Sequence, residues 1–522
     1  MGEAWVLAID LGTGGPKTGA VSLQGDLLAT ELHHVPTRFT ADGGAVQDPE
    51  RWWDGIRAGV AGILAAGVRP ADLVGVGITG QWGSTVPVAA DGSLAGDCLL
   101  WADTRGGRFS ARTLGGPVNI VGYSPGNLLR WLQLTGGAPS PHGADPLGHT
   151  LYLRSEQPDV YARTATFLEP LDYLAMRFTG RRAATPASMI LSWLTDNRPR
   201  GKPGYVPALL RRSGRELEKL PELIPTGSVV GGILPGIAAE LGLPADVPVV
   251  AGVPDLHTAV IGSGAGLPYQ GHITISTTAW IACEVPFKRT DVLHQMPSVP
   301  GLRPGSYVVA NNHETAGACL QWLRDSVIAP GDALGGTVPS YETLTEVAGQ
   351  APPGSGGVMF TPWLNGERSP VEDRTLRAAF LNLSITSERA HLVRAVLEGV
   401  AFNARWLLDA VEKFVKRPLP TLRILGGGAS SDLWCRIHAD VLNRRIERVA
   451  DPMHANLRGA GLFAAMSLGK LSLQDLADLV RVTDTYDPDP DAHAVYEPMY
   501  REFVRLYGKL DGFYARLNGR RG

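Results

Sequence analysis

Asp10 ends a short apolar run, Val6 to Ile9, and is followed by Gly12, Thr13, Gly14 and Gly15. A carboxylate in that place can hold a magnesium ion through water. The glycine-rich turn lets backbone N–H groups of Gly12 and its neighbours approach phosphate oxygens, and Thr13 and Lys17 add donors. An ordinary hairpin with an Asp-Gly turn has the same local pattern. A Walker A loop is excluded: Pro16 stands where that motif needs the glycine before its lysine, and no other segment fits.

Asp255 follows the buried-looking run Val249 to Pro254. A carboxylate at the end of such a strand can accept the hydroxyl proton when a phosphoryl group passes to an alcohol. An Asx turn or a helix N-cap is the plainer reading. The stretch Thr274 to Trp280 is a second strand–turn–strand, with Ser276, Thr277 and Thr278 in the turn. Those hydroxyls suit phosphate, although threonine also favours strands for its own sake. Gly426, Gly427, Gly428, Ala429, Ser430 and Ser431 lie between a strand and a helix, where backbone can approach a nucleotide and a helix N-terminus favours its charge. Ser431 or Asp432 could equally serve as a helix cap.

Gln81 and Trp82, together with Trp101, Asp103 and Arg105, offer aromatic faces beside an amide, a carboxylate and a guanidinium. Sugars bind to such mixtures, the apolar face on tryptophan and the hydroxyls on the polar groups. A core tryptophan beside a surface ion pair is the structural alternative. His257, His313, His391 and His454 show no metal-ligand spacing, and no Gly-x-Ser-x-Gly elbow supplies a hydrolase nucleophile.

The elements that must position these groups alternate between short apolar strands and helical spacing, as in an α/β protein. Strands are expected at 6–9, 18–23, 74–78, 99–103, 247–253 and 422–425. Helices are expected at 52–64, 172–178, 388–413, 433–442, 458–468 and 496–517, and residues 106–117 and 134–149 read as loops. With 522 residues the chain exceeds one ordinary core, and a boundary is placed at 251/252, giving domains 1–251 and 252–522. A net charge of -3, from 48 basic and 51 acidic residues without a basic block, argues against a nucleic-acid partner. No apolar run reaches ~18 residues, so no membrane span is expected. Nor does the N-terminus show a signal peptide. Cys98, Cys283, Cys319 and Cys435 are widely spaced and read as buried free thiols in a reducing, cytoplasmic setting.

The order of these motifs resembles the FGGY family of carbohydrate kinases, and within it the xylulokinase branch. The likeness covers about residues 5–515. It rests on Asp10–Lys17, Gly80-Gln81, Trp101–Arg105, Leu168–Leu174 with Phe178-Thr179-Gly180, Gly252–Asp255, Thr315–Ala318, Gly366–Pro370, His391–Gly399 and Gly426–Ser431. The resemblance implies two actin-like, Hsp70-like (ribonuclease H-like) α/β domains with a ligand cleft between them. The first would carry the sugar site and first phosphate hairpin; the second would carry the catalytic aspartate and adenosine site. It implies ATP and Mg2+ as cofactors, Asp255 as base and sugar contact, and Asp10 and Asp255 as metal holders. Gly12, Thr13, Lys17, Thr277 and Thr278 would meet phosphates. Gly427, Gly428, Ala429 and Ser431 would line the adenosine pocket, and Gln81, Trp82, Trp101, Asp103 and Arg105 would hold the sugar. The expected substrate is a ketopentose such as D-xylulose, the partner a small sugar, and a homodimer is open to it.

Three positions depart from the family pattern. Ser276 replaces a glycine in the second hairpin, Trp82-Gly83-Ser84 replaces Met-His-Gly after Gln81, and Asn382 replaces a glycine. Residues 120–150 align poorly. A non-catalytic sugar-binding or regulatory relative is the alternative. Against it stands the joint presence of Asp10, Thr13, Lys17 and Asp255. A chaperone-type ATPase is a third reading, opposed by Gln81 and the Trp101–Arg105 segment.

Overall fold

The computed structural model describes residues 3–119, 122–202, 204–333 and 336–519; residues 120 and 121 of the poorly aligned segment lie outside them. Two compact units divide the chain. The first comprises Met1–Gly264, Val299–Tyr307 and Asn456–Leu479; the second comprises Ala265–Ser298, Val308–Ala455 and Val480–Gly522.

The first unit is built on strands β1 (Trp5–Gly12), β2 (Gly15–Ser22), β3 (Leu27–Leu32), β4 (Leu73–Gly80), β5 (Val229–Gly232), β6 (Pro248–Val250) and β7 (Val253–Pro254). Their order is β5-β6-β4-β1-β2-β3, with β7 also paired to β4. Leu7 and Ile9 of β1 cluster with Trp52 and Ile56, and Ala8 clusters with Leu457 and Ala460, so both faces of the strand are covered and its run Val6–Ile9 is apolar without alternation and wholly buried. Helix α1 (Pro49–Ala65) buries Trp52, Ile56, Val60 and Ile63 at three/four spacing, and the Asp48 side chain caps it by accepting the Glu50 N–H. Helices α2 (Pro170–Thr179) and α3 (Asp255–Gly262) complete the part that matters for the site.

Expectation and structure part at several places. The strand expected at 99–103 is confined to Cys98–Leu99, and the chain turns at Trp101 and Ala102. A helix occupies Gly107–Leu114 inside the expected loop 106–117, and another, Pro146–Glu156, takes its first turn from the end of the expected loop 134–149. The second begins with proline at its first turn, capped by Asp145, whose Oδ1 accepts the Leu147 and Gly148 N–H groups. Proline is a breaker inside a helix but fits its first turn, where no N–H is needed. The run 247–253 breaks into β6 and β7. Finally, the first unit continues to Gly264 rather than ending at residue 251, because Val253 and Pro254 still pair with Thr79 and Gly80 of β4. Asp255 therefore lies in the first unit.

The first unit also takes in nearly all of the helix over Ala455–Ser467. Leu457 and Ala460 cluster with Ala8 and Val21 on the sheet. A Cβ on Gly459 would lie 2.1 Å from the Thr258 carbonyl oxygen of α3. Only glycine allows the two helix backbones this approach.

In the second unit β8 (Gly271–Ile275) pairs antiparallel with β9 (Ala279–Val285) and parallel with β10 (Thr421–Leu425). The long helix α4 (Arg389–Val415) buries Val393, Val396, Leu397, Val400, Ala404, Leu407, Leu408 and Val411 of the expected stripe, leaves its first member Leu392 half-buried, and is buried on every face from Val393 to Ala404. Helix α5 (Asp432–Leu442) packs against it, and the Trp434 indole N–H donates to the Leu397 carbonyl at 3.0 Å. All four cysteines are buried and free. Among the described residues, no helix is long and apolar enough to cross a membrane.

Candidate active site

Antiparallel pairing sets Asp10 opposite Lys17, and parallel pairing sets it beside Thr79. The Lys17 Nζ lies 3.3 Å from Asp10 Oδ2. Thr79 Oγ1 donates to the Val253 carbonyl at 2.7 Å and lies 2.9 Å from Thr258 Oγ1. Asp10, Thr79 and Val253 thus line up across three strands. Asp255 follows two residues later as the first residue of α3, where its Oδ1 accepts the Leu256 N–H at 2.7 Å.

Burial pushes the Asp255 carboxyl up, and the Asp10 charge adds to it; the Leu256 N–H and Lys17 oppose them, and the group titrates at about 7 instead of 3.8. Ionisation of Asp255 therefore costs stability increasingly as pH rises from 3.8 toward about 7, with the loss complete above it. In the metal-free protein, Asp10→Asn is expected to lower that titration, since a like charge goes and Lys17 loses its partner. Carboxyl NMR of labelled aspartate checks this. A midpoint that stays or rises would contradict the coupling.

Thr13 forms the turn between β1 and β2. Its carbonyl accepts from Gln47 Nε2 at 2.7 Å, and its Oγ1 accepts the Trp101 indole N–H at 3.1 Å. The hairpin and the tryptophan segment are thereby joined. Trp82 donates its indole N–H to the Ser188 carbonyl at 2.9 Å and meets His257 edge-on, with 6.3 Å between ring centroids. Its N–H being engaged, the indole has its ring surface left to offer. The Asp103 carboxylate is fully buried. It accepts from Ala45 N at 3.0 Å and from Arg105 N at 3.1 Å, and pairs with Arg105 Nη2 at 2.6 Å. Asp103 is thus engaged within the protein and holds Arg105, which also donates to Tyr152 OH at 3.0 Å.

The second unit brings its own pair of motifs together. Parallel pairing of β8 with β10 sets the Ser276–Thr278 turn beside the Gly426–Ser431 loop. A Cβ on Gly428 would sit 2.5 Å from Ile275 Cγ2, so glycine keeps this contact close. Ser431 caps α5, its Oγ accepting the Trp434 N–H at 3.2 Å. Thr277 stands exposed at the turn, whose carbonyls at 276 and 277 accept the N–H groups of Gly317 and Ala316. Asn382 takes a positive φ of 60°, as the glycine it replaces could. The sequence reading did not assign Ser84, Glu169, Ser188 or His257. Their partners lie too far away in the chain for spacing to reveal.

The fold agrees with that of solved two-domain, actin-like sugar kinases. The ligand-bound xylulose kinase of Lactobacillus acidophilus superposes with a TM-score of 0.83 at 20% identity, over 98% of this chain and 100% of that one. The profile of the FGGY family of carbohydrate kinases matches with its N-terminal domain at residues 5–113 and 142–262, and with its C-terminal domain at residues 285–468. The chain belongs to the FGGY family of carbohydrate kinases, whose members are ATP-dependent sugar kinases. It is 25% identical to the xylulose kinase of Bacillus subtilis (strain 168), over 96% of each chain. It is 23% identical to the gluconokinase of the same organism, over 98% of each.

Proposed function

We propose that this kinase phosphorylates a ketopentose, D-xylulose first, with Asp255 as general base. The carrying observation is the Asp255 carboxyl, held near neutrality beside Asp10 and in the same unit as Gln81, Trp82 and Trp101. A base is most effective when its pKa lies near the working pH. The sugar rests on the tryptophan faces, with Gln81 and Arg105 at its oxygens. Asp255 accepts the hydroxyl proton as the oxygen bonds to the γ-phosphorus, and the bond from that phosphorus to the bridging oxygen of ADP breaks. In the first unit the Gly12 N–H and the Thr13 and Lys17 side chains suit phosphate oxygens; in the second unit, taken by itself, the hydroxyls of Thr277 and Thr278 suit phosphate, and Gly427, Gly428, Ala429 and Ser431 suit a nucleoside.

The donor set at Asp10 and Asp255 fits Mg2+, a hard cation held by one or two carboxylates that keeps water and phosphate as its other ligands. Among the described residues there is no group of three acidic, His or Cys side chains that would make a closed metal cage. When bound, Mg2+ supplies neutralisation of the phosphate charge. Relatives named xylulose kinase support the ketopentose, and the gluconokinase relative makes D-gluconate the second candidate. ATP consumption across pentuloses, hexuloses, aldoses, polyols and D-gluconate tests the reading. D-Xylulose is expected to give the highest kcat/KM. A higher value with D-gluconate, or silence with every sugar while ATP still binds, would overturn it.

A further inference from the structure

Glu169 sits at the junction of a short strand, Thr166–Leu168, and α2, in the N-cap position, yet its side chain caps nothing in that helix. It points elsewhere: Oε2 accepts the Gly83 N–H at 3.1 Å and the Ser84 N–H at 3.2 Å. The strand pairing of Val86 with Leu168 brings these distant residues side by side. Glu169 is 2% exposed. A buried carboxyl aimed at two consecutive amides fixes the path of the turn between them.

That turn organises the proposed sugar wall. Ser84 Oγ accepts the Trp101 N–H at 3.0 Å and donates to Gln81 Oε1 at 3.4 Å. Gln81 is buried with its carbonyl so engaged, and its Nε2 has no partner among the described residues. Trp82, inside the same turn, is fastened at its far end to Ser188. One carboxyl thus governs the setting of two tryptophans and of an amide whose free N–H groups suit an acceptor oxygen.

We propose that Glu169 is the positioning residue of the sugar site: by clamping Gly83 and Ser84 it orients Gln81, Trp82 and Trp101 toward a substrate that presents an acceptor oxygen to Gln81 Nε2. This rests on the sugar-site reading above. Burial, together with Asp172, pushes the Glu169 carboxyl well above the usual range, while the Ser84 and Gly83 N–H groups oppose that shift. Glutamine has the same shape and keeps one oxygen to accept both N–H groups, whereas leucine leaves both without a partner.

The test compares Glu169→Leu and Glu169→Gln with the parent enzyme, varying sugar and ATP separately. The leucine variant is expected to raise the sugar KM about 10- to 100-fold while the ATP KM stays within about twofold, and glutamine is expected to restore the sugar KM to within a few-fold. Equal changes in both KM values, an unchanged sugar KM in the leucine variant, or no rescue by glutamine would overturn the proposal. Amide hydrogen exchange supplies an arm that needs no substrate. In Glu169→Leu the Gly83 and Ser84 amides should exchange at least about tenfold faster, with those of β4 unchanged. Unchanged exchange at Gly83 and Ser84 would overturn the clamp even if the sugar assignment stood. Faster exchange there, in a parent enzyme that phosphorylates no sugar, would uphold the clamp and reject the sugar assignment.

Discussion

Asp255→Asn is expected to bind metal-free ADP as the parent enzyme does and to lose about 10²- to 10⁴-fold in kcat for sugar phosphorylation, the range a positioned general base contributes. The substitution is nearly isosteric, and its Oδ1 can still accept the Leu256 N–H, so the start of α3 should persist. What disappears is a group able to take a proton at neutral pH. The nearest carboxylate that could substitute, Asp10, is already paired with Lys17. Titration calorimetry with ADP and steady-state kinetics with the best sugar read the two effects separately. Turnover at the parent rate would remove Asp255 from the role of base. Lost ADP affinity together with lost turnover would mean that the nucleotide site depends on Asp255 as well.

The second large effect is expected at a helix–helix contact one turn along α3 from Asp255. Gly459→Ala places a Cβ where the Thr258 carbonyl oxygen already stands, at 2.1 Å, with the Thr258 carbon at 2.8 Å and the Gly262 nitrogen at 3.1 Å. These are backbone atoms of α3 and cannot turn aside as a side chain would. The two helices must separate by about 1 Å, and overpacking of this kind costs about 1–3 kcal/mol. Helix α3 begins with Asp255, so the separation moves the base. A displacement of that size can cost about 10²-fold in rate. The variant should melt lower and turn over about 10²-fold more slowly. Gly508→Ala is the control: nothing lies within 4 Å of its Cβ, and it sits inside a helix, so its effect should be neutral or slightly stabilising. A Gly459→Ala enzyme with the parent rate would show that α3 is free to move without moving the chemistry.

Much of this protein is legible in its residue order because the signals involved are short-ranged. The apolar run before Asp10 and the Gly-Thr-Gly-Gly turn specify a strand and hairpin over a dozen residues. The three/four stripe of α4 specifies a buried helix over 27. The small-residue stretch 458–468 reads as helix for the same reason. High proline content misleads when read only as turns. Pro49, Pro125, Pro146, Pro158, Pro170, Pro207 and Pro235 each open a helix, where the fixed φ and missing N–H do no harm.

The residue types at the site, and the order of the motifs that mark the family, were therefore determined by sequence alone. Which of them meet was decided by tertiary structure. The pairing of Val253 and Pro254 with β4 keeps Asp255 beside Asp10, although the run before it looks like a domain edge. Asp103 proves to be held by Ala45 and Arg105, and Glu169 to reach Gly83 and Ser84 across 86 and 85 positions. The physical reason is the same in each case. Strand register and burial choose partners among all groups that could hydrogen-bond, and that choice depends on the whole sheet and core rather than on neighbours in the chain.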